Sequence, residues 1–205
     1  MTPTQPLIAP IALEIETLIR ARYPILYLLS SEEARAQAAI LEIGQRRNKR
    51  VFEWTCTAGI APAGTSIQSQ KSRNPATKDP LIALDQVIEQ VEPALFIFKD
   101  FHPFLTRGNH AIIRKLKDIS LHLKNSYKTI ILLCPVLEIP AEIEKEITLL
   151  NFPLPTREDL SALLDKIVAD VRQFKQVKIN LDDAGRERLL GAALGLTLGE
   201  AETVF

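Results

Sequence analysis

What the sequence does not contain narrows its function first. Its 25 lysines and arginines are matched by 25 aspartates and glutamates. No broad positive field therefore holds phosphate backbones regardless of sequence, and nucleic acid is not expected as a partner. Only two cysteines are present, Cys56 and Cys134. Each follows a hydrophobic, strand-like run, which reads as small buried packing residues and excludes a disulfide framework. His102, His110 and His122 fall on no spacing that pairs with the cysteines or forms an HExxH helix, so no metal site is expected. No apolar run approaches about 18 residues. The amino terminus sets Pro3, Pro6 and Pro10 before an acidic amphipathic stretch, without the basic and apolar regions of a secretory signal. A cytoplasmic chain with no membrane partner is expected.

What is present is an ordinary globular composition, 46% hydrophobic and 24% charged over 205 residues, enough for one large domain or a core domain with an appendage. Residues 1–10 read as an extended arm, and Ile11, Leu13, Ile15, Leu18 and Ile19 then recur near helical spacing until Pro24. Ile25 to Leu29 is a continuous apolar run, the pattern of a strand buried on both faces. Ser30 or Ser31 is placed to cap a helix whose first turn holds Glu32 and Glu33 and which continues to Gly44. The run 51–55 gives a second strand, and residues 57–80, rich in small residues and proline, read as a long loop. Strands at 94–99, 129–134 and 147–152 then alternate with helices at 81–91, 110–125 and, briefly, 140–146. The reading is an α/β fold, a five-stranded parallel sheet with helices on both faces. Beyond Pro153 and Pro155 the strands stop. Thr156 and Asp182 start helices, and Thr197 starts a third, so 1–155 is expected to be the α/β core and 156–205 a partial helical lid.

In an open parallel sheet, ligands bind beyond the carboxyl ends of the strands, and a phosphate sits on the helix after the first strand. Here that stretch runs Ser30, Ser31, Glu32, Glu33, Ala34, Arg35, with no glycine and no lysine followed by serine or threonine. The two carboxylates complement the helix dipole themselves and repel a triphosphate. A near match to a phosphate loop, Gly59 to Ser66, has Thr65 where the lysine belongs and no helix after it, and is read as loop. The third strand ends in Lys99 and Asp100. An acid there resembles the magnesium-holding strand of nucleotide hydrolases. Phe101 stands where a water-polarising glutamate would follow, so Asp100 is read as a vestigial site residue that anchors the loop or caps a helix. His102 lacks a paired acid or nucleophile nearby in sequence. With Arg114 and Lys115 it forms a set of interaction candidates, and no catalytic residue is assigned. The densest basic cluster, Arg46, Arg47, Lys49 and Arg50, reads as a solvated helix end.

The segment Leu18 to Tyr27 with its Arg20-Ala21-Arg22-Tyr23-Pro24 core, Glu32 and Glu33, Phe52 to Thr55, the Asp100-Phe101-His102 block, Arg114 to Leu116, and Thr129 to Pro135 resemble the AAA-type ATPase family encoded by a conserved reading frame of cyanobacterial and algal plastid genomes. Ile139, Pro140, Phe152 to Pro155 and Gly195 to Thr197 extend the resemblance over most of the chain. It implies an AAA-like nucleotide-hydrolase fold without the phosphate loop, within a protein about twice this length whose second half carries the functional Walker motifs. It also implies a cytoplasmic or stromal location and a link to photosynthetic regulation. On that basis the chain is expected to be a degenerate, non-catalytic module of a larger ATPase, serving regulation, assembly or protein interaction. Its expected partners are the ATPase module and further copies of itself in a homo-oligomer. No cofactor is expected on this part, while ATP and magnesium belong to the parent protein. Two alternatives stand beside it: a noncanonical ATP-binding domain using Asp100 and the 57–80 loop, and a clamp-loader-subunit-like module that binds protein or DNA.

Overall fold

The computed structural model describes residues 10–64, 74–173 and 180–205. Its described residues divide into two compact units, one ending at Phe152 and the other beginning at Pro153. In the first, α1 (Pro10–Arg20) leads to β1 (Ile25–Leu29), α2 (Glu33–Arg46), β2 (Arg50–Thr55) and β3 (Gly59–Pro62). There follow α3 (Pro80–Glu89), β4 (Ala94–Lys99), α4 (His110–Leu123), β5 (Thr129–Cys134) and β6 (Ile147–Asn151). The six strands lie in the order β3-β2-β4-β5-β1-β6.

Five of these strands are parallel, as their alternation with helices predicts, with Ile25 opposite Ile130 and Leu95 opposite Thr129. Alternate residues feed two separate cores. Ile25, Tyr27, Phe96, Phe98, Ile130 and Leu132 pack with Leu84, Val87, Leu116 and Ile119 of α3 and α4 on one face. On the other, Leu26, Leu28, Leu95, Ile97, Ile131 and Leu133 meet Ile11, Ile15, Ile40 and Ile43 of α1 and α2. Each helix pair needs its own apolar face, which is why both parities of every central strand are hydrophobic.

The sixth strand corrects the loop expected over 57–80. Gly59–Pro62 pairs antiparallel with β2, Trp54 facing Ile60 and Thr55 facing Gly59. Thr55 Oγ1 accepts from the Ala58 amide at 3.1 Å and Gly59 takes φ +75°, which together close the hairpin. Pro62 sits at the strand's end, on the sheet's edge, where a missing amide costs nothing. Thr65 and Ser66 of the near phosphate loop lie outside the described residues. Two smaller expectations also change. Cys56 falls in the hairpin turn and is exposed, whereas Cys134 is buried as expected. The short helix at 140–146 is one 3-10 turn, Ala141–Ile143, because β6 begins only four residues later.

The second unit holds α5 (Arg157–Arg172), α6 (Asp183–Ala193) and α7 (Leu198–Val204). Thr156, Asp182 and Thr197 cap them as their sequence predicts, Thr156 and Thr197 in reciprocal capping boxes with Asp159 and Glu200. Leu160, Leu164, Leu190, Ala193 and Ala201 form the core of this unit.

Candidate functional site

The carboxyl ends of β1, β4 and β5 and the start of α2 make the place where a ligand of such a sheet is expected. The chain leaving β1 is already engaged there. The Ser30 amide donates to the Cys134 carbonyl at 2.9 Å, and Ser30 Oγ accepts from the Glu32 amide at 2.9 Å. Neither serine caps α2: Glu32 occupies the cap position without a side-chain cap bond, and Glu32 itself is buried.

Glu33, in the first turn of α2, reaches across to β4. Lys99 Nζ lies 3.0 Å from Glu33 Oε1 and 3.3 Å from Glu53 Oε2, and Gln37 Nε2 donates to that same Glu53 oxygen at 2.9 Å. The Lys99 and Glu53 side chains are only 12% and 14% exposed, so their mutual attraction is screened far less than that of a surface pair. Lys99 and Glu53 were not singled out from the sequence. The signal that reveals them is register: Glu53 lies opposite Ile97, which puts it on the same face as Lys99.

Asp100 follows Lys99 at φ +50°, a left-handed conformation that its short polar side chain tolerates. Its amide donates to the Leu133 carbonyl at 3.0 Å, anchoring the turn to β5. The side chain is exposed and does not cap the following 3-10 turn, whose cap position is Phe101. Phe101 is fully buried. Its ring stands at right angles to Phe98, 5.4 Å between centroids, and packs 5.4 Å from Trp54, which also meets Phe98 at 5.1 Å and Phe104 at 5.8 Å. Trp54 Nε1 donates to the Thr77 carbonyl at 2.6 Å, and Thr77 Oγ1 accepts from the Ile60 amide at 2.9 Å.

His102 opens the 3-10 turn and is partly buried, its Nδ1 without a hydrogen-bond partner among the described residues. Arg114 and Lys115 lie on α4 and are tied elsewhere, Arg114 to Asp118 one turn on and Lys115 to Asp85 of α3. Asp100 and His102 thus share one turn, while the two cations serve helix surfaces. Tyr27 donates its hydroxyl to the Val136 carbonyl. Burial, and then the neighbouring Cys134, push that hydroxyl well above its ordinary titration range, and burial raises the Cys134 thiol. Neither supplies a nucleophilic anion at neutral pH. Among the described residues no group of histidines, cysteines and carboxylates converges as metal ligands, and no helix is long and apolar enough to cross a membrane.

Residues 11–152 match the SpoVK-like AAA ATPase N-terminal domain, and residues 158–205 match the second domain of the same group. The chain belongs to the SpoVK-like AAA ATPase family. It is 32% identical over 195 residues to the uncharacterized AAA domain-containing protein ycf46 of Trieres chinensis, and 29% identical to that of Guillardia theta. Each alignment covers 94% of this chain and 36% of the relative. The chain therefore spans little more than a third of these family members, which are nearer three times than twice its length. The FIGL-1 AAA domain in complex with ADP shares the fold with a TM-score of 0.59 at 9% identity, over 94% of this chain and 62% of that one. The replication initiator DnaA bound to AMPPCP and single-stranded DNA gives 0.56 at 12%, over 99% and 60%. At such identities the likeness speaks for the AAA-type architecture alone.

Proposed function

We propose that this part of the SpoVK-like protein is a degenerate AAA module that does not hydrolyse nucleotide and instead serves as an assembly or regulatory platform for the ATPase module of its parent. The observation that carries the reading is the engagement of the segment after β1. A phosphate needs free amides and a lysine at that helix start. Here the Ser30 and Glu32 amides are bonded within the protein, Glu32 and Glu33 bring negative charge, Lys99 is bound to Glu33 and Glu53, and Arg35 stands over the Phe152 ring. A magnesium nucleotide does not fit such a donor set. The buried ring of Phe101 supports the same conclusion, since the position beside the strand-terminal acid carries no base. ATP and magnesium, on this reading, belong to the parent's other module; assembly into a homo-oligomer in the cytoplasm or stroma, with a role in photosynthetic regulation, is proposed with it on the family resemblance and not on any side chain here.

Calorimetric titration of the 205-residue chain with Mg-ATP tests the reading. No saturable heat is expected, and binding tighter than about 100 μM, roughly 5.5 kcal/mol, overturns it. Association with the separately expressed ATPase module is expected in a pull-down, and its absence counts against the platform role.

A further inference from the structure

At the amino ends of the strands, away from the site above, two cations converge on one exposed ring. The Arg22 guanidinium carbon lies 4.5 Å from the Tyr127 centroid and Arg22 donates to the Tyr127 hydroxyl at 3.0 Å. Lys49 Nζ lies 5.8 Å from the same centroid and donates to the Tyr127 carbonyl. Both are delivered by tight turns, Arg22 at φ +60° and Asn48, next to Lys49, at φ +50°. Three cations of the basic cluster are neutralised: Arg46 lies 3.1 Å from Glu16, Arg47 donates to Glu16 at 2.5 Å, and Arg50 lies 2.8 Å from Glu92. Among the described residues, Arg22 and Lys49 have no carboxylate. Two like charges held beside one ring repel, and Lys49 is pushed below its ordinary titration range by burial and then by Arg22. An anion between them removes that penalty.

The same end exposes apolar surface. Tyr23, Tyr127 and Val91 stand just ahead of β1, β5 and β4, which are neighbours in the sheet, and are 41%, 60% and 95% exposed. Arg20, Lys124 and Lys145 near the same strand ends are also exposed, but two cations held at one ring match a single carboxylate, and the exposed Tyr23 and Val91 beside them suit the apolar side chains of a peptide better than the successive phosphates of a nucleic acid. We propose that this end of the sheet binds an acidic segment of a partner protein, seating one carboxylate between Arg22 and Lys49 and apolar side chains against Tyr23 and Val91. The proposal stands whether or not nucleotide binds at the opposite ends of the strands, so the Mg-ATP titration does not decide it.

The test is fluorescence anisotropy of a labelled peptide alternating glutamate and leucine, titrated with the full chain at low salt. Saturable binding is expected, weakening at least about tenfold in the Arg22→Gln, Lys49→Gln double variant and weakening with added salt as screening grows. Arg22→Gln keeps a donor for the Tyr127 hydroxyl, and an unchanged melting temperature separates lost binding from lost folding. Should the double variant melt early, the Val91→Glu chain, altered at a side chain 95% exposed, is expected to lose binding on its own. Absence of saturable binding, equal binding by both variants, or tighter binding of a labelled oligothymidylate than of the peptide overturns the proposal.

Discussion

The two ends of the strands treat charge in opposite ways. At the carboxyl ends, Lys99 is nearly buried and meets two carboxylates, one of which also accepts from Gln37, and the rings of Trp54, Phe98, Phe101 and Phe104 close over the adjoining strand tips. At the amino ends, Lys128 is buried and donates to the carbonyls of Val87, Ile88 and Gln90 at 2.8 to 2.9 Å, while Arg22 and Lys49 remain partly in solvent beside an exposed tyrosine. A buried charge with every donor engaged holds the fold together. An exposed, unneutralised pair leaves interaction energy available to something outside the chain.

The largest expected effect sharpens the carboxyl end. Trp54→Ala removes the ring against which Phe98, Phe101 and Phe104 pack and strands the Thr77 carbonyl, so a loss of about 3–5 kcal/mol is expected in urea denaturation. A loss under about 1 kcal/mol would show that the aromatic cluster is peripheral. Gly59→Ala follows. A Cβ there meets Thr77 Oγ1 at 2.5 Å and the Asn74 carbonyl at 3.1 Å, at φ +75°, and about 1–3 kcal/mol is expected from strain and displaced backbone. If the variant melts like the parent, the Thr77 anchor does not fix the hairpin.

Lys128→Met breaks the amino end while keeping the side chain's length. Three carbonyls at the carboxyl end of α3 lose their donor, with an expected cost of about 1–3 kcal/mol. Burial lowers the pKa of Lys128 below its ordinary 10.5. The folded form therefore binds that proton more weakly than the unfolded chain, and the charging penalty is fully present below the folded value and disappears as pH climbs toward 10.5. The parent is expected to gain stability relative to Lys128→Met over that alkaline window. A difference that stays flat with pH rules out burial as the governing influence on this lysine.

The central parallel strands were legible because a strand covered on both faces is apolar at nearly every position, as in Ile25 to Leu29 and Ile130 to Cys134. The antiparallel strand was not, since Gly59-Ile60-Ala61-Pro62 is short, ends in proline, and is held by Trp54 and Thr77 rather than by its own pattern. At the site, the missing lysine after β1 and the phenylalanine after Asp100 could be read directly from position. The Lys99 and Glu53 pair could not, because it depends on which strands are neighbours. Tyr127 meets Arg22 and Lys49 across separations of 105 and 78 residues, a convergence that only the folded topology creates. Basic residues clustered in sequence, Arg46 and Arg47 among them, drew notice first and prove to be neutralised by Glu16.

The smallest expected effect is the control that gives this contrast its meaning. Arg114 was a sequence candidate for interaction, yet in the fold it is exposed and paired with Asp118 one turn along α4. Solvent screens such a pair, and the entropy of fixing two long side chains offsets its attraction. Arg114→Ala is therefore expected to leave the melting temperature and the acidic-peptide affinity unchanged, although it removes the same unit of charge as Arg22→Gln. If the two substitutions weaken peptide binding equally, overall charge attracts the peptide and the geometry at Tyr127 does not. If only Arg22→Gln does so, the placement of a cation without a carboxylate, rather than the number of cations, makes the amino end of this sheet a binding surface.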